Sequence, residues 1–125
     1  MTEQLTKITQ HQCENAPAQY SDLKALFLNC TLNRTPVLSH TRGVINIAKE
    51  IFEANGVETK VIRPVDYEIP AGLGLDMSET PEWDKDDWPQ LQKQIDETDI
   101  LVLCTSVWLG EKSSVCNRVL ERMYG

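Results

Sequence analysis

The chain has 125 residues, 41% of them hydrophobic and 25% charged, with a formal net charge of −7. That length and composition suit one globular domain with one core, and the acidity argues against nucleic acid or an anionic membrane as a partner. No apolar run approaches the roughly 20 residues of a membrane span, and the N-terminus lacks the basic and apolar regions of a signal peptide.

The four cysteines, Cys13, Cys30, Cys104 and Cys116, form no C-x-x-C pair. They read as reduced thiols, which places the protein in the cytoplasm. His11 and Cys13 lie close together, but no second ligand pair follows, so no metal site is expected.

Residues 1–21 are polar and read as an arm, either mobile or folded into a short helix that docks elsewhere. The domain proper is expected over 22–125. Lys24–Asn29 is a nearly continuous apolar run, the pattern of a strand buried on both faces of a parallel sheet. A loop rich in hydroxyl and amide side chains follows, from Cys30 to His40. A helix is expected from Thr41 to Asn55, with Val44, Ile45, Ala48, Ile51 and Phe52 on its apolar stripe; Asn55-Gly56 is its stop. Val57–Arg63 reads as a second, more polar strand near a sheet edge, ended by Pro64.

Residues 64–87 form a long connection. Ala71-Gly-Leu-Gly74 is flexible in composition, and Asp76 to Asp87 is acidic, which reads first as a solvated surface. Asp87-Trp88-Pro89 opens a helix, with Trp88, Leu91 and Ile95 on one face. Asp99–Cys104 is a third strand, apolar throughout. Thr105–Lys112 reads as a loop. Ser113 or Ser114 caps a last helix whose inner face is Val115, Cys116, Val119, Leu120 and Met123. Alternating strands and helices imply right-handed crossovers and a parallel sheet with helices on both faces.

Strand, hydroxyl-rich loop and helix N-terminus together make an anion site, usually for phosphate. Thr31, Ser39 and Thr41 are three hydroxyls clustered beside that helix N-terminus; each also suits a turn or cap of an ordinary strand–helix connection. Cys30 stands where a phosphatase nucleophile could, but Arg34-Thr35 follows after only three residues, too short a loop to wrap a phosphate.

Two loops carry a family resemblance. Leu28-Asn-Cys-Thr31 with Ser39-His-Thr41, and Thr105-Ser-Val-Trp-Leu-Gly110 followed by Ser113-Ser114 and Arg118-Val-Leu-Glu-Arg122, resemble the two flavin loops of the flavodoxin-like NAD(P)H-dependent FMN reductases and quinone reductases. The resemblance runs from about Lys24 to the last residue. It implies a flavodoxin-like doubly wound parallel α/β sheet, incomplete here: the first three strands are present, and the last two, their helix and a third cofactor loop are missing. It also implies FMN as cofactor, NAD(P)H as co-substrate and a quinone or flavin as electron acceptor.

By the same resemblance Thr31, Asn33, Ser39, His40 and Thr41 hold the flavin phosphate, with Arg34 and Arg42 nearby. Thr105, Ser106, Val107, Trp108, Leu109 and Gly110 line the ring. No side chain need act as acid or base, because the flavin carries the hydride chemistry. The loops depart from the family pattern: Cys30-Thr-Leu-Asn33 stands where Gly-Ser-Pro-Arg is common, and Ser106 where proline is common. In an open sheet of this order ligands bind beyond the strand ends where the order reverses, between the first and third strands. An apolar third strand with no neighbour invites association. The chain is therefore expected to be a fragment of a longer protein, or a homo-oligomer that completes the sheet in trans. The alternative function is a truncated module with little flavin binding that serves association or structure.

Overall fold

The computed structural model describes residues 2–15, 18, 20–72 and 83–124. The helices are α1 (Thr2–Glu14), α2 (His40–Ala54), α3 (Trp88–Asp96) and α4 (Ser114–Tyr124). The strands are β1 (Lys24–Asn29), β2 (Glu58–Ile62), β3 (Ile100–Cys104), β4 (Val107–Trp108) and β5 (Glu111–Lys112). β1 lies at the centre of a parallel sheet in the order β2-β1-β3. Phe27 pairs with Val61 on one side and Val102 on the other.

The apolar run of β1 is buried on both faces because helices cover both. Leu26 and Leu28 join Ile62, Ile69, Trp88, Leu91, Cys116 and Val119 in a core beneath α3 and α4. Ala25 and Phe27 join Ile45 and Val57 beneath α2, where Ala48, Phe52, Ile100 and Val102 pack against them. Phe27 and Phe52 meet edge to face with ring centroids 5.2 Å apart, and burying a Phe27-sized side chain contributes about 1.5–3 kcal/mol.

Two helical faces and one helix start differ from their expected form. On α2, Ile45, Ala48 and Phe52 face the sheet, while Val44 and Ile51 are 67% and 36% exposed. The apolar arc of this helix is wider than the strip of sheet beneath it, so one flank is left over. On α4, Arg122 is buried and Met123 is exposed, because the Arg122 guanidinium has a carboxylate and two indoles to receive it. It pairs with both Asp86 oxygens, at 3.1 and 2.5 Å, donates to the Pro70 carbonyl, and lies 4.4 Å from the Trp83 ring centroid. At the start of α3, Asp86 rather than Asp87 accepts the Trp88 N–H, at 3.0 Å. The Asp87 carboxylate instead takes the Glu68 N–H.

Of the two readings of the N-terminal arm, the described residues show the helix. α1 packs on α2 through buried Cys13, whose sulfur accepts from Asn55 Nδ2 at 3.3 Å. The long connection begins as a 3-10 turn over Pro64–Asp66; part of its glycine-rich and acidic stretch, residues 73–82, lies outside the described residues.

Candidate functional site

β1 and β3 end side by side. Asn29 pairs with Cys104, and the Cys30 N–H donates to the Cys104 carbonyl at 2.7 Å. The two segments that leave these strand ends are the two loops singled out in the sequence.

The first loop is built around Asn29, which is fully buried. Its Nδ2 donates to Ser39 Oγ at 3.2 Å and its Oδ1 accepts the Thr31 N–H at 3.2 Å, so one amide side chain closes the loop at both ends. Thr31 Oγ1 accepts the Asn33 N–H, and Asn33 Nδ2 donates to the Leu38 carbonyl. Ser39 is the N-cap of α2, and its Oγ accepts the Arg42 N–H at 3.2 Å. From the end of β2, Arg63 Nη1 donates to the Asn33 and Val37 carbonyls at 3.1 and 2.8 Å. Asp66 takes both the N–H and the hydroxyl of Thr35, at 2.9 and 2.6 Å. Partial burial pushes the Asp66 carboxyl up, but the two Thr35 bonds and the nearby Arg63 and Arg34 outweigh it and hold the group below its usual value.

The loop hydroxyls thus serve two ends. Thr31 and Ser39 oxygens are acceptors in the bonds that shape the loop, which leaves their hydroxyl protons to donate. His40 and Thr41 occupy the first two positions of α2, where backbone N–H groups have no partner within the helix. The positive end of the helix dipole adds to them, and no acidic residue stands in the first turn. His40 is exposed at the helix start. Arg42 is turned along the helix, its Nε on Asn46 Oδ1 at 2.8 Å.

The second loop is an antiparallel hairpin, β4 paired with β5. Leu109 and Gly110 form its two-residue tip, with φ of 51° and 80°, as in the mirror-image turns that match strand twist. Thr105 Oγ1 accepts the Ser113 N–H at 3.0 Å and donates to the Ser106 carbonyl. Ser106 Oγ lies 3.4 Å from Thr41 Oγ1, so the hairpin and the α2 N-terminus are within hydrogen-bond reach. Ser113 caps α4: its Oγ accepts the Cys116 N–H and donates to the Cys30 carbonyl at 2.7 Å. Val107, Trp108 and Leu109 are exposed.

Leu109 is the one non-glycine residue with positive φ among the described residues, in a conformation costing a side chain with a Cβ roughly 1–2 kcal/mol. Asparagine tolerates it. Leu109→Asn is expected to raise the melting temperature by roughly 4 °C, consistent with about 1 kcal/mol; a fall on thermal denaturation would show that Leu109 packs in solution.

Cys30 does not serve as a nucleophile. Its thiol is fully buried and turned to the Leu28 carbonyl, and burial, with Cys116 and Cys104 beside it, pushes it far above its usual range. Arg63 and Asp66 are loop-shaping residues that motif reading missed; Asn29 stands inside the Leu28–Thr31 motif without its bracing role, and Ser113 is the cap of α4 as expected. Arg63 and Asp66 had one signal: in a parallel sheet the end of β2 must lie beside the end of β1.

The donor set fits a phosphate, and the exposed Val107 and Trp108 beside it offer apolar surface to a flat ring. A family model described as NADPH-dependent FMN reductase matches residues 23–124. The chain is 44% identical over 116 residues to a Mycobacterium bovis protein named divalent metal cation transporter MntH, covering 93% of this chain and 17% of that one. It is 38% identical over 105 residues to 8-demethyl-8-aminoriboflavin-5'-phosphate synthase of Streptomyces davaonensis, covering 81% and 41%. The crystal structure of RosB with the bound intermediate 8-demethyl-8-formylriboflavin-5'-phosphate superposes with a TM-score of 0.72 at 36% identity, covering 82% of this chain and 42% of that one. The chain therefore spans less than half the length of each of these relatives.

Proposed function

The chain belongs to the NADPH-dependent FMN reductase family, and from that membership we propose that it supplies the phosphate loop and one ring-side loop of an FMN-dependent oxidoreductase. The observation that carries this reading is the junction of the two loops, with Thr41 Oγ1 and Ser106 Oγ 3.4 Å apart at the N-terminus of α2. Thr31, Ser39, His40 and Thr41 would hold the phosphate through hydroxyl and backbone donors, with Asn33 bracing the loop. Thr105–Gly110 would flank the ring, with the Trp108 face beside it.

FMN bound there supplies the hydride and electron transfer between NAD(P)H and a quinone or flavin acceptor. The protein's own part is to bind, orient and exclude water. The donors around Asn29 are tied in place before any ligand arrives, which lowers the ordering cost of binding. The riboflavin-phosphate chemistry in the names of two relatives supports a flavin phosphate as the ligand. Four free thiols suit a reducing, cytoplasmic setting.

The test is a fluorescence titration with FMN and with riboflavin. FMN is expected to bind at least about tenfold more tightly, because only FMN reaches the helix N-terminus. Equal affinities would remove the phosphate site. A second reading, an association module of a larger assembly, draws on the 44% match that occupies only 17% of a longer chain.

A further inference from the structure

Residues 32–38, which join Thr31 to Ser39, are exposed at every position, Leu32, Val37 and Leu38 included. No buried side chain anchors this crown of the loop, so polar contacts must hold it. Among the described residues, its hydrogen bonds to other elements come from one segment, the end of β2 and the turn after it. Arg63 Nη1 donates to the Asn33 and Val37 carbonyls, and Asp66 accepts the Thr35 N–H and hydroxyl. Arg63 stands on a firm base, between buried Ile62 and buried Pro64.

The two Arg63 bonds are placed symmetrically. Asn33 lies two residues after Thr31, and Val37 two residues before Ser39. One nitrogen therefore spans both arms of the loop, two residues from each of the buried hydroxyl residues. Asn29 ties the same two residues from beneath, so their spacing is held from two sides. The Arg63 bonds also orient two peptide planes, both trans. In a trans peptide the N–H points opposite to the carbonyl. With the Asn33 and Val37 carbonyls held on Arg63, the N–H groups of Arg34 and Leu38 face away from the end of β2, and neither donates to another group among the described residues. Without Arg63, either plane can turn over and present a carbonyl oxygen, which repels an anion, where an N–H donor stood.

We propose that Arg63 is a positioning residue that sets the preference for a phosphorylated flavin over its dephosphorylated form. The proposal rests on the phosphate-site reading above. Arg63 need not touch the ligand. It fixes the gap between Thr31 and Ser39 and the direction of two backbone donors, and Asp66 completes the clamp at Thr35. Preorganised donors favour an anion because no ordering cost falls on binding, and a ligand without the phosphate gains nothing from them.

FMN and riboflavin are titrated by fluorescence into the parent chain, Arg63→Met and Arg63→Lys. Methionine keeps an apolar stem and removes the donor. Arg63→Met is expected to weaken FMN binding at least about tenfold and to leave riboflavin within about twofold, so selectivity falls at least about fivefold. General structural damage would weaken both flavins alike. Arg63→Lys is expected to hold FMN affinity within about threefold of the parent, because one nitrogen makes both bonds and an ammonium carries three donors. Without flavin, amide hydrogen exchange at Thr35 and Val37 is expected to run at least about tenfold faster in Arg63→Met. A parent chain that does not prefer FMN would remove the phosphate site and this proposal with it. Where the parent prefers FMN, unchanged selectivity in Arg63→Met, equal weakening of both flavins, unchanged exchange at Thr35 and Val37, or a lysine variant no better than the methionine one would each overturn the role of Arg63 and leave the phosphate site standing.

Discussion

Arg122→Ala is expected to lower stability by about 3–5 kcal/mol. Arg122 is 3% exposed, and its guanidinium is the bidentate partner of Asp86, itself largely enclosed. The two indoles around it, Trp83 and Trp88, exclude water from the pair. Truncation removes the cation and leaves the Asp86 carboxylate without its partner, which is the costly way to break a buried pair. The Pro70 carbonyl loses its donor as well. The contact joins α4 to the segment before α3, so both packing layers on that face loosen. Melting followed by circular dichroism should show a fall on the order of 15 °C. An Arg122→Met, Asp86→Leu double variant should recover most of it, because an apolar pair of similar volume leaves no buried charge unmatched. A single variant melting within about 3 °C of the parent would show that the pair is hydrated in solution.

The second large effect is expected at Asn29, and it acts on function as well. Asn29→Ala strands the Thr31 N–H and removes the amide that holds Ser39 Oγ. A buried donor left without an acceptor costs about 1–3 kcal/mol. The loop must then be ordered by its ligand, so FMN affinity should fall by roughly 10- to 100-fold. Asn29→Asp separates the two effects. It retains the acceptor for Thr31 but places a negative charge behind the phosphate donors, so it should bind FMN more weakly than the alanine variant. Equilibrium denaturation and FMN titration on the same samples read both quantities. Unchanged FMN affinity in Asn29→Ala would detach this loop from flavin binding.

Much of the frame is legible in the residues because burial on two faces leaves a plain signature. Lys24–Asn29 and Ile100–Cys104 are apolar runs of strand length, and the helices between them carry apolar residues at helical spacing. Ser39 is legible as a cap, which the Arg42 N–H on its oxygen bears out, and its hydroxyl proton can serve the proposed phosphate. The tip of the hairpin is not legible, because Leu109-Gly110 lacks the asparagine or aspartate that marks such a turn. The burial of Arg122 is hidden too: a charge at the end of an amphipathic helix reads as solvated until the partner carboxylate, thirty-six positions earlier in the chain, is brought beside it. Asn29 looks like the end of a strand. Its role appears only once the loop has turned back far enough to meet it.

The Ser113 hydroxyl, shared between the Cys30 carbonyl and the first turn of α4, gives the molecule a thermodynamic linkage. A shift of α4 is therefore felt at the root of the loop after β1, since one hydroxyl holds both. A ligand that steadies that loop would steady α4 in turn, and each would favour the other by the same factor, as reciprocity between two sites requires.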